Sequence, residues 1–439
     1  MSQVRRSRFV RMQRQLLCAA VHVCFFAPIA VGQAPPATPA PATPPASPTA
    51  ERETPTDDSV ATFQQPWQPV ADRERVNEAI DRALNFLIDH QRPDNAYGSR
   101  GADTGITALV VHALAASPRA YREEDGPFVS KAVEYLLAHR QPDGGIYNAG
   151  QGLENYKSSI ALMALIELDR GRKEPRYSEI VAGLKDFIAG LQCDESSEHP
   201  YDRNQHPRAY GGIGYGSDRR PDLSNSHFAI EALRLAGKTE DSEEMRNAII
   251  FLQRCQNLAA VNDTLRAEKG TRSSEDGGAM YAPVDTKAEV LQNSDGSRTY
   301  SSYGSMTYAL VKSYVYAGLK RDDVRVQKAW EWIEKNYSVE HNPGMVHPQN
   351  PTRGYQGLFY YYLLMARTLE VLEVKEIKDG AGQRHFWANE LAGRLLALQR
   401  PAGEWQNPVD RWWEGDPQVV TAYAVRALSI CSRSLVKAE

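Results

Sequence analysis

The amino-acid sequence predicts an all-α fold, a closed (α/α)6 toroid built from six helical hairpins. From Val76 onward, apolar residues return at three- and four-residue steps, which indicates amphipathic helices. One short motif recurs along that whole stretch, and the second helix of each hairpin is apolar almost all round. A chain of 439 residues, of which 42% are hydrophobic, can build one large core of this kind.

The recurring motif is an apolar helix end followed by glutamine, as in "FLIDHQ" (86–91). The marker residues, with one degenerate copy, are Gln91, Gln141, Gln192, Gln256, Tyr337 and Gln399. A turn rich in Gly or Pro follows each marker, as in "QPDGGIYN" (141–148), and a second helix begins after it. Because an isolated hairpin cannot bury its apolar face, the six copies must stack on one another as one domain.

The second helices decide between an open stack and a closed ring. "SSIALMALIEL" (158–168) and "VVTAYAVRALSI" (419–430) are apolar almost all round, whereas the first helix "VNEAIDRALNFLIDH" (76–90) has a charged face. A helix that is apolar all round is buried. We therefore expect the second helices inside the ring and the first helices outside it.

The unit "FL-x-x-x-Q … G-x-W/Y" resembles the repeat of squalene–hopene cyclases and of protein prenyltransferase β subunits, over essentially all of residues 76–437. The resemblance implies a six-hairpin α/α toroid in which the repeat glutamine bonds backbone groups at helix ends. Trp405 matches the repeat's aromatic residue best, and Tyr97, Tyr147, Tyr215 and Tyr281 replace it elsewhere. The resemblance also implies a central cavity for an apolar or isoprenoid-like ligand, at the N-terminal ends of the inner helices.

Three segments make up the predicted chain. Residues 1–32 combine a basic head with the apolar run "LLCAAVHVCFFAPIAVG" (16–32) and small residues at its end, which predicts a signal peptide. An uncleaved anchor is the alternative, and it would be the chain's one membrane contact. Residues 33–75 predict a Pro-rich disordered spacer, and residues 76–439 the toroid, with a polar insertion at 257–300. We expect an exported protein of the periplasm, cell envelope or exterior.

Composition excludes several classes of function. A net charge of -4 without charge runs speaks against nucleic-acid binding. The three cysteines after the predicted signal, Cys193, Cys255 and Cys431, cannot form a disulfide framework. A loop holds a possible metal-binding group that matches no zinc spacing, so we predict no metal and no other cofactor. Its residues are Cys193, Asp194, Glu195, His199, Asp202 and His206.

The catalytic groups that the resemblance implies are missing from this chain. It has no D-x-D-D acid motif, and no cysteine fits the Asp–Cys–His zinc site of prenyltransferases. The stretch "DRRPDLSNSHFAIEAL" (218–233) instead offers Asp222 and His227 as catalytic candidates, a general acid with Arg219 and Arg220 beside it as an anion clamp. The alternative is that Asp222 caps a helix, worth about 1 kcal/mol, and that His227 fills a polar niche.

Two further aspartates stand at equivalent helix starts. Asp103 and Asp416 are either caps or, together with Asp222, the acidic rim of a carbohydrate-active toroid with paired carboxylates. Aromatic residues on or before the inner helices are candidates for ligand binding, with core packing as the alternative. They are Tyr303, Tyr308, Tyr355, Phe359, Trp412 and Trp413.

Three functional hypotheses therefore stay open. The first is a terpenoid cyclase- or prenyltransferase-like protein that binds an apolar small molecule. The second is a carbohydrate-active toroid. The third is a non-catalytic scaffold that binds an envelope protein or glycan. Whether the protein is an enzyme is undecided by the sequence.

Overall fold

The computed structural model describes residues 60–196, 200–216 and 220–437. Six outer helices are α1 (Arg73–Asp89), α3 (Pro127–Ala138), α5 (Ser178–Gly190), α7 (Glu243–Cys255), α10 (Val324–Lys335) and α12 (Trp387–Leu398). Six inner helices are α2 (Thr104–Ala116), α4 (Glu154–Asp169), α6 (Leu223–Leu235), α9 (Gly304–Tyr316), α11 (Leu358–Val371) and α13 (Pro417–Ser434). A short helix α8 (Asp263–Ala267) and three 3-10 turns (Ala61–Gln64, Glu123–Asp125, Pro351–Tyr355) complete the helical elements of the described chain.

The inner helices form a closed ring. They contact one another in the order α2, α4, α6, α9, α11 and α13, and α13 contacts α2. Outer helices pack around them: α1 and α12 on α13, α3 on α2, α5 on α4 and α6, α7 on α6 and α9, and α10 on α9. The predicted all-α toroid of six hairpins, with the second helices inside, is confirmed.

Burial explains why the two kinds of helix differ in sequence. In α1, Val76, Ile80 and Leu84 are buried while Glu78 and Arg82 on the other face are exposed. In α2 every residue from Thr104 to Ala115 is buried, because outer helices cover one side and the ring interior covers the other. The inner helices are therefore apolar all round for the reason that the sequence suggests.

The repeat glutamines join each hairpin to the next. The Gln256 amide donates to Gly277 O in its own turn (2.9 Å) and to Arg325 O at the start of the next outer helix (2.8 Å). Gln399 bonds Ala79 O in α1 (2.8 Å), which closes the ring. Gln91 and Gln192 make the same link to Phe128 O and Glu244 O, and Tyr337 reaches Glu390 of α12. Gln141 alone among the markers bonds only its own turn, at His139 O and Tyr147 O (both 3.0 Å).

The packed chain begins before the predicted boundary at residue 76. Phe63 stacks on Tyr355 with ring centroids 4.3 Å apart, and its carbonyl accepts from Arg394 Nη2. Val70 is buried, and its N–H donates to Asn389 O (2.9 Å). Residues 60–70 carry no helical periodicity, so their sequence looked like spacer, but their apolar side chains cover the toroid. The predicted signal peptide and the rest of the predicted spacer lie outside the described residues.

The polar insertion at 257–300 has a small structure of its own. Strand β3 (Arg298–Tyr300) pairs in parallel with β1 (Thr271–Arg272) and antiparallel with β2 (Val290–Gln292). Leu265, Met280 and Tyr300 form a separate apolar cluster. Outside the insertion, a separate sheet of two strands, β4 (Ile377–Lys378) and β5 (Arg384–His385), precedes α12. Within the described ranges, no helix combines the length and apolarity that a membrane crossing requires.

Candidate ligand-binding site

Four aromatic rings meet inside the ring of inner helices. Phe228 of α6 packs against Tyr156 of α4 (centroids 4.7 Å apart) and faces Tyr360 of α11 (6.2 Å). Tyr360 in turn lies 6.1 Å from Tyr423 of α13, whose hydroxyl hydrogen-bonds to that of Tyr156. Because α2 separates α13 from α4 and α9 separates α6 from α11, these contacts span the interior. We call these four residues the aromatic layer. Where the sequence predicts aromatic residues lining a cavity, these four rings meet across the interior.

A chain of hydrogen bonds runs through this layer into the core. Ser224 Oγ lies 3.0 Å from the Tyr360 hydroxyl, which lies 2.6 Å from His227 Nε2. His227 Nδ1 is 3.2 Å from Lys312 Nζ, and Lys312 forms a buried ion pair with Glu231. We call these five residues the polar chain. Ser224 and Tyr360 are half-buried, whereas the other three are 0–3% exposed.

Lys312 and Glu231, at the inner end of the polar chain, stabilise each other's charged form. Burial alone would raise the pKa of Glu231, but nearby cations hold it well below its usual range. Burial lowers the pKa of Lys312, and its ion pair with Glu231 opposes this. Burial, and then the charge of Lys312, lower the pKa of His227 well below its usual value, so its imidazole is neutral.

These protonation states give the polar chain one direction. An ammonium group only donates, so the Lys312 Nζ donates to His227 Nδ1, and the remaining ring hydrogen stands on Nε2. His227 Nε2–H donates to the Tyr360 oxygen, and the Tyr360 hydroxyl donates to Ser224. Burial keeps the pKa of Tyr360 well above its usual value, so the phenol retains its hydrogen. The Ser224 hydroxyl therefore ends the polar chain, and its hydrogen is not used within that chain.

Asp222 lies beside this site and combines two properties. It is the N-cap of α6, where it accepts from Asn225 N (2.8 Å) and Asn225 Nδ2 (2.9 Å). Burial raises its pKa to about 6, against these hydrogen bonds and one from Tyr281. The Tyr281 hydroxyl is also bonded to that of Tyr215 (2.9 Å). Asp222 is thus a helix cap and, at the same time, a carboxyl group that holds its proton more tightly than an exposed one.

The other two aspartates also cap inner helices. Asp103 accepts from Ile106 N (3.0 Å) and pairs with the buried Lys157 (2.8 Å). Asp416 accepts from Gln418 N and from the Ser99 hydroxyl (both 2.8 Å). Each carboxylate has partners of its own, so the structure offers a capping role for all three aspartates.

The predicted aromatic ligand-binding residues divide into packed and exposed ones. Tyr308 packs edge-on against Tyr361 (5.7 Å), and Phe359 packs edge-on against Tyr362 (5.8 Å); both are 1% exposed. Tyr355 stacks on the N-terminal segment, and Tyr303 is buried at the N-cap of α9. Of the predicted arginines, Arg220 is exposed, and Arg219 lies outside the described residues.

Trp412 and Trp413 are 40% and 52% exposed and have an unusual backbone. Their φ angles are 56° and 68°, and two consecutive bulky residues in the left-handed region cost about 1–3 kcal/mol each. Guanidinium groups lie over both rings, Arg411 at 4.4 Å from the Trp412 centroid and Arg100 at 5.9 Å from that of Trp413. Strain of this kind persists only where the surrounding structure holds the residues in place.

Sequence reasoning missed the acid that positions Tyr360. Glu414 is 1% exposed, accepts from Tyr360 N (2.7 Å) and Asn407 Nδ2 (2.6 Å), and thereby caps α11. Burial raises its pKa to about 7. Sequence reasoning also missed Lys312 and Glu231, although a lysine within "MTYALVKSYVY" (306–316) and a glutamate within "HFAIEAL" (227–233) interrupt otherwise apolar helices and are the available signal.

The loop with possible metal ligands shows other contacts. Cys193 is buried, Glu195 accepts from the Tyr210 hydroxyl (2.9 Å), and His206 Nδ1 accepts from Asp202 N (3.1 Å). His199 lies outside the described residues. In the part of the chain that the structure describes, no three His, Cys, Asp or Glu side chains are grouped so that they could hold a metal ion.

Comparisons with known proteins give structural similarity only. No protein-family model matches the sequence, and no curated protein matches it. The chain is similar to the type II terpene cyclase MstE from Scytonema without ligand, at 15% identity and TM-score 0.44, over 83% of this chain and 99% of the cyclase. It is also similar to an MstE variant in complex with its product merosterolic acid A, at 15% identity and TM-score 0.46, over 82% of this chain and 98% of the other. A variant in complex with its substrate geranylgeranyl dihydroxybenzoate matches at 14% identity and TM-score 0.43, over the same shares. These three structures are of one type II terpene cyclase.

Proposed function

We propose that this protein binds a small molecule whose apolar, isoprenoid-like body rests on the aromatic layer. The polar chain is the observation that carries this proposal. It places the Ser224 hydroxyl donor at the edge of a surface of aromatic rings, whose hydroxyls at Tyr156 and Tyr423 are bonded to each other. A site with a large apolar face and one fixed polar group selects an apolar ligand with one hydrogen-bond acceptor, such as an alcohol, ether or carbonyl oxygen.

The surroundings of the aromatic layer support this ligand class. Tyr156, Ser224 and Tyr360 are half-buried, so a molecule can reach them from the N-terminal ends of the inner helices. Trp412 and Trp413 precede α13 at that same end and offer further exposed ring faces. Apolar molecules gain about 25 cal/mol for each Å² of apolar surface that leaves water, so these rings supply affinity and Ser224 supplies orientation.

Proton donation by Asp222 is a second candidate function. A carboxyl group with a pKa of about 6 is partly protonated near neutral pH, which general-acid catalysis requires. Its neighbour Tyr281 connects it to Tyr215 by hydroxyl groups. A ligand turned over by this acid would make the protein an enzyme of the terpenoid-cyclase kind. Loss of turnover in Asp222→Asn with ligand binding retained would support this role.

Export is part of the proposal and rests on residues 1–32 alone. Their basic head, apolar run and small residues before Gln33 match a cleavable signal. N-terminal sequencing of the protein from its source cells should begin at Gln33. A protein that begins at Met1 or Ser2 in the cytosol would contradict export.

The scaffold hypothesis is the alternative to ligand binding. Purification of the protein with an envelope protein or glycan, and without an apolar small molecule, would favour the scaffold.

The binding proposal is tested by titrating the full chain with farnesol, an isoprenoid alcohol, and following tryptophan fluorescence. Tyr360→Phe removes the hydroxyl that orients Ser224, and one hydrogen bond is worth about 0.5–1.5 kcal/mol. We expect up to about a tenfold weaker affinity. Ser224→Ala should weaken farnesol similarly and leave a hydrocarbon of equal length unaffected.

Tyr362→Phe is the matched control. Tyr362 stands on the same helix, and its hydroxyl bonds Val339 O (2.6 Å) away from the aromatic layer. The control should bind farnesol like the wild type. Equal affinities for wild type, Tyr360→Phe and Ser224→Ala would refute the proposed site.

A further inference from the structure

A buried arginine without a partner lies in the interior of the ring. Arg426 stands on α13, one turn beyond Tyr423 of the aromatic layer, and is 8% exposed. Among the described residues, no side chain or backbone group forms a hydrogen bond or ion pair with it. Its guanidinium nitrogens keep slight contact with solvent, but a guanidinium group that loses most of its water without gaining a counter-charge lowers the stability of the fold. A bound anion would supply the counter-charge that the chain does not provide.

A second unsatisfied polar atom lies nearby. His112 stands on α2, which contacts α13, and its Nδ1 atom is buried without a hydrogen-bond partner in the described chain. Burial and then the charge of Arg426 lower the pKa of His112 well below its usual value. Arg426 and His112, on adjacent inner helices, therefore both lack a hydrogen-bond partner in the same region of the interior. Buried polar groups in native proteins are normally paired.

The charges in this region do not balance. Lys312, Arg367 and Arg426 are three cations whose charges all act on the single carboxylate of Glu231. Both Glu231 oxygens are already occupied, one by Lys312 and the other by Arg367 at 2.8 Å. The next carboxylate, Glu370, is likewise held between Arg367 and Arg433 (both 2.7 Å). Glu167, whose charge also acts on Arg426, pairs with Arg170 (2.7 Å). Among the described residues, no carboxylate therefore forms an ion pair with Arg426.

Solvent reaches this region from the end opposite to the aromatic layer. Arg367 and Glu370 stand near the C-terminal end of α11 with side chains 22% and 25% exposed, and Arg433 in the last turn of α13 is 53% exposed. The side chains become more exposed from Glu231 through Arg367 to Arg433. The solvent nearest to Arg426 is therefore at this end of the ring and not at the aromatic layer.

We propose that Arg426, His112 and Arg367 form an anion-binding site for a small oxyanion, a carboxylate or a phosphate group. The Arg426 guanidinium presents paired N–H donors, which match two oxygens of one carboxylate or phosphate. The neutral His112 can present Nδ1–H to a third acceptor position, and Arg367 adds a second positive charge. This site is independent of the proposed ligand on the aromatic layer and lies on the other side of the polar chain.

The test is isothermal titration calorimetry of the full chain with inorganic phosphate and, separately, with acetate, at constant ionic strength. We expect saturable binding of one ion per chain by at least one of the two. Arg426→Met should weaken that binding at least tenfold. It should also raise the melting temperature in anion-free buffer, because it replaces an unpaired buried charge with an apolar side chain.

Arg321→Met is the control, since Arg321 is exposed and the substitution changes the net charge equally. It should bind the anion like the wild type. Should Arg426→Met fail to fold, Arg426→Lys keeps the charge and loses the paired donors, and it should bind more weakly than the wild type. Phosphate binding without acetate binding assigns the site to phosphate groups, and the reverse to carboxylates. Absence of binding by the wild type, or equal binding by wild type and Arg426 variants, overturns the proposal.

Discussion

Asp222 shows how burial changes what one residue does to the whole protein. Its folded-state pKa of about 6 lies above the ordinary 3.8, so the folded protein holds this proton more tightly than the unfolded chain does. The resulting stabilisation is fully present below pH 3.8 and is lost as pH rises through 6. A shift of this size corresponds to about 3 kcal/mol, because each pKa unit is worth about 1.4 kcal/mol.

The substitution Asp222→Asn separates this titration from the capping role. Asparagine keeps an oxygen for the Asn225 N–H, and the Asn225 side chain can turn its unsatisfied Oδ1 toward the new amide. Between pH 3 and pH 7 we expect the unfolding free energy of the wild type to fall by about 3 kcal/mol more than that of the variant. Urea denaturation at several pH values measures this difference. Parallel curves for the two proteins would show that Asp222 does not titrate as the structure indicates.

At the residue scale, the sequence predicts local chemistry well and distant partners poorly. The capping role of Asp103, Asp222 and Asp416 is readable because a cap acts on N–H groups two or three residues away. The ion pair of Lys312 with Glu231 joins positions on two different helices. The sequence around either residue does not identify its partner on the other helix. Only the folded ring shows that the two side chains meet.

At the scale of the helices, the repeat glutamine links one hairpin to the next by hydrogen bonds. Gln256 is 0% exposed, and its amide bonds Gly277 O and Arg325 O. Gln256→Leu leaves both carbonyls without this donor, and we expect about 2–4 kcal/mol of lost stability, about 1–2 kcal/mol for each carbonyl. Gln141→Leu is the control, because Gln141 bonds two carbonyls of its own turn and is only half-buried, so water can replace its hydrogen bonds and its loss should cost less. Thermal unfolding measures both, and equal losses would contradict the linking role.

A second repeated contact, made by a Ser or Thr near the start of the second helix, joins that helix to the turn before it. In five hairpins a Ser or Thr in the second helix accepts a backbone N–H from the preceding turn, as Thr107 does from Tyr97 N (2.9 Å) and Ser226 from Ile213 N (3.0 Å). The same contact recurs at Ser158, Thr307 and Thr421. The sixth hairpin differs, because α11 has no Ser or Thr near its start. Glu414, from a later loop, instead accepts hydrogen bonds from the first N–H groups of this helix. Such a cap is invisible to a search of neighbouring residues.

At the scale of the whole molecule, the number of hairpins and their closure could be predicted, whereas the content of the interior could not. Six copies of a motif and apolar second helices were sufficient for the ring. Whether aromatic side chains line a cavity or meet across it depends on the distance between opposite helices, which the sequence does not contain. Tyr156 and Phe228 complete the aromatic layer, and no local pattern in α4 or α6 distinguishes them from core residues.

The central claim is that the aromatic layer and the polar chain hold an apolar molecule with one oxygen acceptor. The most direct measurement is mass spectrometry of the small molecules extracted from the full chain after purification from its source cells. We predict one isoprenoid-like compound in near-stoichiometric amount with the wild type, and much less of it with Ser224→Ala, while Tyr362→Phe retains it. Only trace lipids, in equal amounts from all three proteins, would contradict the claim.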